Sequence, residues 1–215
     1  MTINDGAVLG MSQIAGAAPR NRAFNVVVLA EGFTAAQQAD FNNACATFAS
    51  AFLATPPFDE LRPAINVFRV NVSSTDTGAD DPVAAGGTGA TARTYFDATF
   101  GGNGIRRLLV CNNSTALQVA AAQVPEFSVV LMVVNSTVYG GSGGSVGTFS
   151  LANGANEIAI HEMGHTAFGL ADEYPYYAGG NETGHDNHPP GDPSEPNVTT
   201  NSNRRMPLPP KVASK

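Results

Sequence analysis

The first part of the chain alternates between segments with strand patterns and segments with helix patterns. Residues 24–30 (FNVVVLA) are apolar except for Asn25 and predict a buried strand, and residues 65–72 (INVFRVNV) alternate as a second strand. Between them, residues 34–53 carry apolar side chains at helical spacing, which predicts a helix with Thr34 as its N-cap. Residues 73–94 are rich in Ser, Thr, Asp and Gly and predict a loop.

Two more strands are predicted at residues 106–111 and 128–134, on either side of a short helix around residues 117–122. The resulting order of elements indicates an α/β fold in which helices cover a mixed sheet. Cys45 and Cys111 follow apolar patterns, and two cysteines this far apart fit neither a disulfide framework nor a metal-ligand spacing. We therefore expect both to be buried thiols.

Beyond these strands the pattern changes. Residues 139–147 (YGGSGGSVG) contain five glycines in nine positions and lead into a short apolar stretch at residues 146–151. This segment is either a flexible hairpin or a strand that another backbone approaches closely. Residues 155–168 then predict a helix that ends at Gly169. Gly164 in mid-helix costs about 1 kcal/mol relative to alanine, which indicates tight packing there.

Composition narrows the possible functions. The 215 residues have a net charge of −7, and the stretch between Leu108 and Asn203 contains nine acidic residues, all four histidines and no Lys or Arg. Such a stretch repels phosphate and attracts cations, so we expect no nucleic-acid partner. The longest apolar run, Val129–Val134, is far shorter than the roughly 20 residues of a membrane span. No secretory signal is visible, which leaves a cytoplasmic location, or secretion if the N-terminus is not native.

The sequence HEMGH, with His161, Glu162 and His165, carries the clearest chemical signal. At positions i and i+4 of a helix, two imidazoles lie about 6 Å apart along the axis on one face, close enough to bind one ion. Glu162 then lies beside the ion, where a carboxylate can accept a proton from a zinc-bound water. Chance would produce about 0.003 such patterns in a chain of this His and Glu content. We therefore expect one catalytic Zn²⁺.

A catalytic zinc ion usually has three protein ligands, so one ligand lies outside this motif. If the helix continued, Asp172 would lie about 10 Å beyond the second histidine along the axis. A helix that ends at Gly169 can instead turn residues 170–174 back toward the ion. The candidates for the third ligand are, in order of preference, Asp172, Glu173, and then His185 or His188.

The chain resembles the IgA-peptidase-type zinc metallopeptidases, which have a zincin fold related to that of the metzincins. The resemblance covers about residues 20–203, and its most specific segment is HEMGHTAFGLADEY at residues 161–174. Four other segments carry it in order: NVVVLAEGF at 25–33, INVFRV at 65–70, TGADDP at 77–82 and EPNVT at 195–199.

This resemblance implies a single α/β zincin-like domain with a mixed sheet, covering helices and an active-site helix. It makes His161 and His165 zinc ligands, Glu162 the catalytic acid/base and Asp172 the third ligand. In zincins the substrate lies extended along the edge strand above the site helix, which would give residues 139–151 a role in peptide binding.

The resemblance also divides the chain into an N-terminal extension (1–20), a zincin-like metallopeptidase domain (21–203) and a divergent tail (204–215). The tail reads RMPLPPKVASK after Arg204, and its Met206 is a poor equivalent of the methionine turn of metzincins because three prolines follow it. We expect a truncated or frame-altered C-terminus and, with it, zinc binding accompanied by weak proteolysis.

The sequence thus predicts a zinc-dependent endopeptidase that hydrolyses a protein or peptide substrate. Three tyrosines are candidates for stabilising the oxyanion: Tyr174, Tyr176 and Tyr177. An acidic cluster, formed by Asp76, Asp80 and Asp81, could bind Ca²⁺, although a solvated turn is the commoner role of such acids. Two alternatives remain: a zinc-binding homologue without activity, and an interaction or adhesion domain that uses its Gly/Ser/Thr-rich loops.

Overall fold

A computed structural model describes residues 4–172 and 194–198 of the chain. Its contacts divide the chain into two units, residues 1–168 and residues 169–215. Within the described residues, all helices of α type and all strands lie in the first unit. In chain order they are β1 (Gly6–Ala15), β2 (Phe24–Glu31), α1 (Gln38–Phe52), β3 (Ile65–Ser74), α2 (Asn113–Gln123), β4 (Val129–Val134), β5 (Gly141–Ser142), β6 (Gly147–Ser150) and α3 (Ala155–Phe168).

The six strands form one mixed sheet in the order β1-β3-β2-β4-β6-β5. The four inner strands run parallel to one another. The two outer strands, β1 and β5, run antiparallel to their neighbours. All residues of β4 and nearly all of β2 are buried, because a parallel strand covered on both faces needs apolar side chains on both. The predicted α/β architecture, a mixed sheet with covering helices, is confirmed.

Helix α1 covers the sheet with the apolar face that the sequence predicts. A 3₁₀ turn over Ala35–Gln37 precedes it, and the Thr34 backbone N–H donates to the Gln37 side-chain oxygen at 3.0 Å. Phe48 packs on Phe149 of β6, with the ring centroids 5.8 Å apart. The side chains that α1 buries are Phe41, Cys45, Phe48, Ala49 and Phe52.

Two segments differ from the sequence prediction. Residues 106–111 were expected to form a strand, which is wrong: Leu108 and Val110 form only isolated bridges, and the chain turns back where Leu108 donates to the carbonyl of Ile105. Conversely, β1 was not predicted, and it lies in the segment interpreted as an N-terminal extension. As an edge strand it has no fully buried residue, so it needs little of the apolar character that marks the inner strands.

Both cysteines are free thiols. Cys45 is buried as expected, whereas Cys111 is half-buried. Burial raises the pKa of both thiols, that of Cys111 to about 12, so neither has the thiolate character of a reactive cysteine. None of the described helices is long and apolar enough to cross a bilayer.

Candidate active site

Helix α3 lies against the part of the sheet formed by β4, β6 and β5, and it also contacts α1. Its buried side chains are Ile158, Ala159, Glu162 and Met163, which therefore form the inner face of the helix. The predicted bounds of this helix are confirmed. Gly169 follows it with φ +62°, the left-handed conformation that commonly ends a helix and favours glycine.

The two histidines of α3 converge as their spacing predicts. The Nε2 atoms of His161 and His165 lie 3.1 Å apart, and the rings are almost perpendicular at 88°. His161 is exposed and His165 is half-buried, so the two nitrogens meet at the margin of the helix rather than inside the core.

This pair of nitrogens fits one zinc ion. Each Zn–N bond is about 2.0–2.1 Å long, so two nitrogens at a tetrahedral angle on one ion would lie about 3.3 Å apart. The observed 3.1 Å between the Nε2 atoms of His161 and His165 is close to that separation. Imidazole nitrogen is also a ligand type that zinc prefers.

Asp172, the preferred candidate for the third ligand, is half-buried and stands four residues after the end of α3, in the second unit. Among the described residues of the first unit, no three His, Cys, Asp or Glu side chains converge as a metal site would require. A third ligand for the two histidines would therefore have to come from outside the first unit.

The segment next to Asp172 is held by a residue that the sequence analysis did not single out. Asn197 bonds both backbone groups of Ala171: its Oδ1 accepts from the N–H at 2.9 Å, and its Nδ2 donates to the carbonyl at 2.8 Å. The available signal was that Asn197 stands in the EPNVT segment, which carries part of the family resemblance. Nothing in its local sequence indicates a partner 26 positions away.

Glu162 lies on the inner side of α3, where it is only 9% exposed. Its carboxylate faces the backbone of β5, since a Cβ added to Gly141 would lie 2.9 Å from Glu162 Oε1. The Thr166 hydroxyl donates to the Glu162 carbonyl at 2.8 Å, within the same helix. The carboxylate is thus largely shielded from bulk solvent by the sheet.

The glycine-rich segment before β6 packs closely against this helix. A Cβ at Gly143 would overlap the Cβ of His165, and a Cβ at Gly147 would lie 3.0 Å from Thr166 Oγ1. Because β5 pairs antiparallel with β6, residues 139–147 contain the turn of a hairpin, the first of the two interpretations. The atoms nearest to Gly143 and Gly147 belong to side chains of α3 and β4 rather than to another backbone.

Comparison with protein families decides the classification. The IgA peptidase M64 family matches residues 13–208, nearly the whole chain. The chain belongs to this family. Members of the M64 family are metallopeptidases, so the two converging histidines lie in a protein of a class that uses a metal to hydrolyse peptide bonds. A search of curated proteins gave no match.

Several other predicted site residues of this M64 domain lie outside the described residues. These are Glu173, His185 and His188 as alternative ligands, Tyr174, Tyr176 and Tyr177 as oxyanion candidates, and Met206 in the tail.

The acids considered for Ca²⁺ lie within the described residues, but they do not gather around one point. Asp76 forms an ion pair with Arg93 at 2.9 Å, and Asp81 forms one with Arg106 at 2.7 Å. Asp80 accepts a hydrogen bond from a backbone N–H at 2.8 Å. Hydrogen bonding to Arg93 also holds the pKa of Asp76 below its usual range. The three carboxylates thus bind groups of the chain itself, and the calcium hypothesis gains no support.

Proposed function

We propose that this M64 chain is a zinc-dependent endopeptidase with a zincin-like fold. In this proposal His161, His165 and Asp172 bind one zinc ion, and Glu162 is the general base and acid. The observation that carries the proposal is the convergence of the two histidine Nε2 atoms, 3.1 Å apart on the exposed margin of a helix. Membership of a metallopeptidase family supports peptide-bond hydrolysis as the reaction.

The donor set suits a catalytic zinc site. Two imidazoles and one carboxylate are three protein ligands, which leaves a fourth position for water or substrate. When bound there, zinc would lower the pKa of water toward about 7 and polarise the carbonyl of the scissile bond.

Glu162 supplies the proton transfers. Its carboxylate would take a proton from the attacking water while the water oxygen bonds to the carbonyl carbon. It would then give that proton to the amide nitrogen as the C–N bond breaks, which leaves a carboxylic acid and an amine. The burial of Glu162 against β5 supports this role. A base that is shielded from bulk solvent passes its proton to the reacting groups rather than to bulk water.

The extended substrate expected of a zincin would lie along β5, the edge strand that α3 contacts. At Gly141 the outer side of this strand is already in use: its N–H donates to the Arg107 carbonyl at 3.1 Å, and its carbonyl accepts from Leu109 at 3.3 Å. We therefore propose that a substrate backbone pairs with the residues that follow Gly141, beginning near Gly143.

Metal analysis and a peptidase assay test this function together. His161→Ala and His165→Ala should each lose most of the zinc that copurifies with the wild-type chain. Glu162→Gln should keep its zinc and lose about 10²- to 10⁴-fold in the cleavage rate of a fluorogenic peptide. Glu157→Gln, at an exposed position of the same helix, is the matched control and should behave as the wild type.

Each alternative gives a different result. Zinc binding by the wild-type chain without turnover would identify an inactive homologue. A full equivalent of zinc in both histidine variants would refute the ligand assignment, and a chain that binds no zinc would favour an interaction domain. Wild-type turnover by Glu162→Gln would refute the role of Glu162.

A further inference from the structure

We propose that Gly141 and Gly143 are positioning residues that set the places of the Glu162 carboxylate and the His165 imidazole. The inference rests on the proposed function, because it assigns a role to these glycines through the base and one ligand of that site. Its basis is how little space separates the glycine backbone from the two functional side chains of α3.

At Gly141 the carboxylate of the base lies directly against the strand. A Cβ added here would lie 2.9 Å from Glu162 Oε1, 2.8 Å from Ile158 Cγ2 and 3.0 Å from the carbonyl oxygen of Thr148. Real Cβ atoms essentially never come this close to other heavy atoms, so any side chain at Gly141 would force the Glu162 carboxylate or its neighbours to move.

At Gly143 the contact is with the ligand side chain. A Cβ here would overlap the Cβ of His165 and would lie 3.0 Å from Cγ and 3.1 Å from Cδ2 of the imidazole. Neither Gly141 nor Gly143 has a positive φ, so backbone conformation does not require glycine at either position. The close approach of α3 is what requires it.

The strand cannot simply retreat from an added side chain, because it is held on both edges. On its inner edge β5 pairs with β6. On its outer edge Gly141 is bonded to Arg107 and Leu109, and the Leu109 carbonyl accepts hydrogen bonds from the hydroxyls of Ser142 and Thr148. A methyl group on Gly141 would therefore displace the residues of α3 rather than the strand. Gly143 follows directly after this held strand, one residue beyond its end.

The two glycines contact different functional groups, so their alanine variants should separate two properties. Gly143→Ala should weaken zinc binding about 10- to 100-fold, the range typical when a group that orients a metal ligand is altered. It should also change the visible spectrum of the Co²⁺-loaded protein, because a ligand has moved. Gly141→Ala should keep zinc affinity within about threefold and lower kcat about 10²-fold with little change in KM, because it displaces the base by about 1 Å.

Two controls separate positioning from loss of stability. Gly6→Ala introduces a similar clash on β1 at the opposite edge of the sheet, where the new Cβ would overlap the Ser73 carbonyl oxygen. It should lower the melting temperature and leave zinc affinity and the Co²⁺ spectrum unchanged. Ser114→Ala changes an exposed residue of α2, outside the site, and should leave every property unchanged.

The outcomes distinguish this inference from the function on which it rests. If the wild-type chain binds zinc and cleaves peptide, but Gly143→Ala has wild-type zinc affinity or Gly141→Ala has wild-type kcat, the inference is overturned and the proposed function stands. A wild-type chain without zinc overturns both. Should Gly143→Ala fail to fold, the double variant Ser142→Ala/Thr148→Val removes the hydroxyls that hold β5 and should weaken zinc binding about tenfold; unchanged affinity would overturn the inference.

Discussion

A buried carboxyl group at the end of β2 should make the stability of the fold depend on pH. Glu31 is completely buried, and its carboxylate accepts hydrogen bonds from the backbone N–H groups of Phe96 at 3.0 Å and Ala98 at 2.9 Å. Desolvation by burial outweighs these hydrogen bonds and raises the pKa of Glu31 from 4.5 to about 7.

The direction of the pH effect on stability follows from which state, folded or unfolded, holds the proton on Glu31. Between pH 4.5 and 7 the folded chain keeps a proton on Glu31 that the unfolded chain has released, so the free energy of unfolding falls as pH rises through this window. A pKa that rises from 4.5 to about 7 corresponds to about 3 kcal/mol of stability at low pH. Most of this is lost between pH 5 and pH 8.

Glu31→Gln removes the titrating group and is the variant that tests this reasoning. Urea unfolding of both proteins at pH 5, 6, 7 and 8, with a chelator present throughout, gives the free energy of unfolding without a contribution from zinc. The free energy of unfolding of the wild type minus that of the variant should fall by about 2 to 3 kcal/mol from pH 5 to pH 8. A difference that stays constant to within about 0.5 kcal/mol would refute the reasoning, because Glu31 would then be charged in both states.

Two further predictions concern the third ligand. Asp172→Ala should weaken zinc binding at least about tenfold more than Glu173→Ala in a chelator titration, because a carboxylate that binds the ion is lost; the reverse order would move the ligand to Glu173. Asn197→Ala should weaken zinc binding about tenfold, because Ala171 beside Asp172 loses both of its bonds to that side chain. Ser194→Ala, an exposed change in the same segment, is the control, and equal affinity of these last two variants would contradict the role of Asn197.

The sequence pattern predicts those elements whose residues are determined by burial alone. The inner strands β2 and β4 are covered on both faces, so a run of apolar residues marks each of them in sequence: residues 26–30 in β2 and the whole of β4. Helix α3 ends where predicted because Gly169 adopts a left-handed conformation that glycine reaches without strain. In these cases the residues that determine the structure lie within the element itself or next to it.

The sequence pattern did not predict the segments whose conformation depends on a partner that is distant in sequence. Residues 106–111 have the apolar content of a strand, yet Leu109 is buried by contact with β5 and its neighbours while the chain around it turns. Strand β1 (GAVLGMSQIA) mixes small, polar and apolar residues without a regular alternation, and its strand conformation is set by hydrogen bonding to the edge of β3. No window of sequence around either segment contains the element that determines its conformation.

The candidate site combines both situations. The convergence of His161 and His165 follows from helix geometry alone, since residues at i and i+4 share a face, and it is the part that sequence predicts most directly. The glycines of residues 139–147 indicate close packing, but only the fold identifies the side chains of Glu162 and His165 as what they approach. Asn197 is harder still to recognise from sequence, because an asparagine in a loop gives no signal of its role until its partner is known. Residues that bear chemistry are therefore recognisable from their spacing, whereas residues that place them are recognisable only from contacts. A mutational scan of this domain should accordingly find losses of zinc affinity at glycine and asparagine positions that have no chemistry of their own.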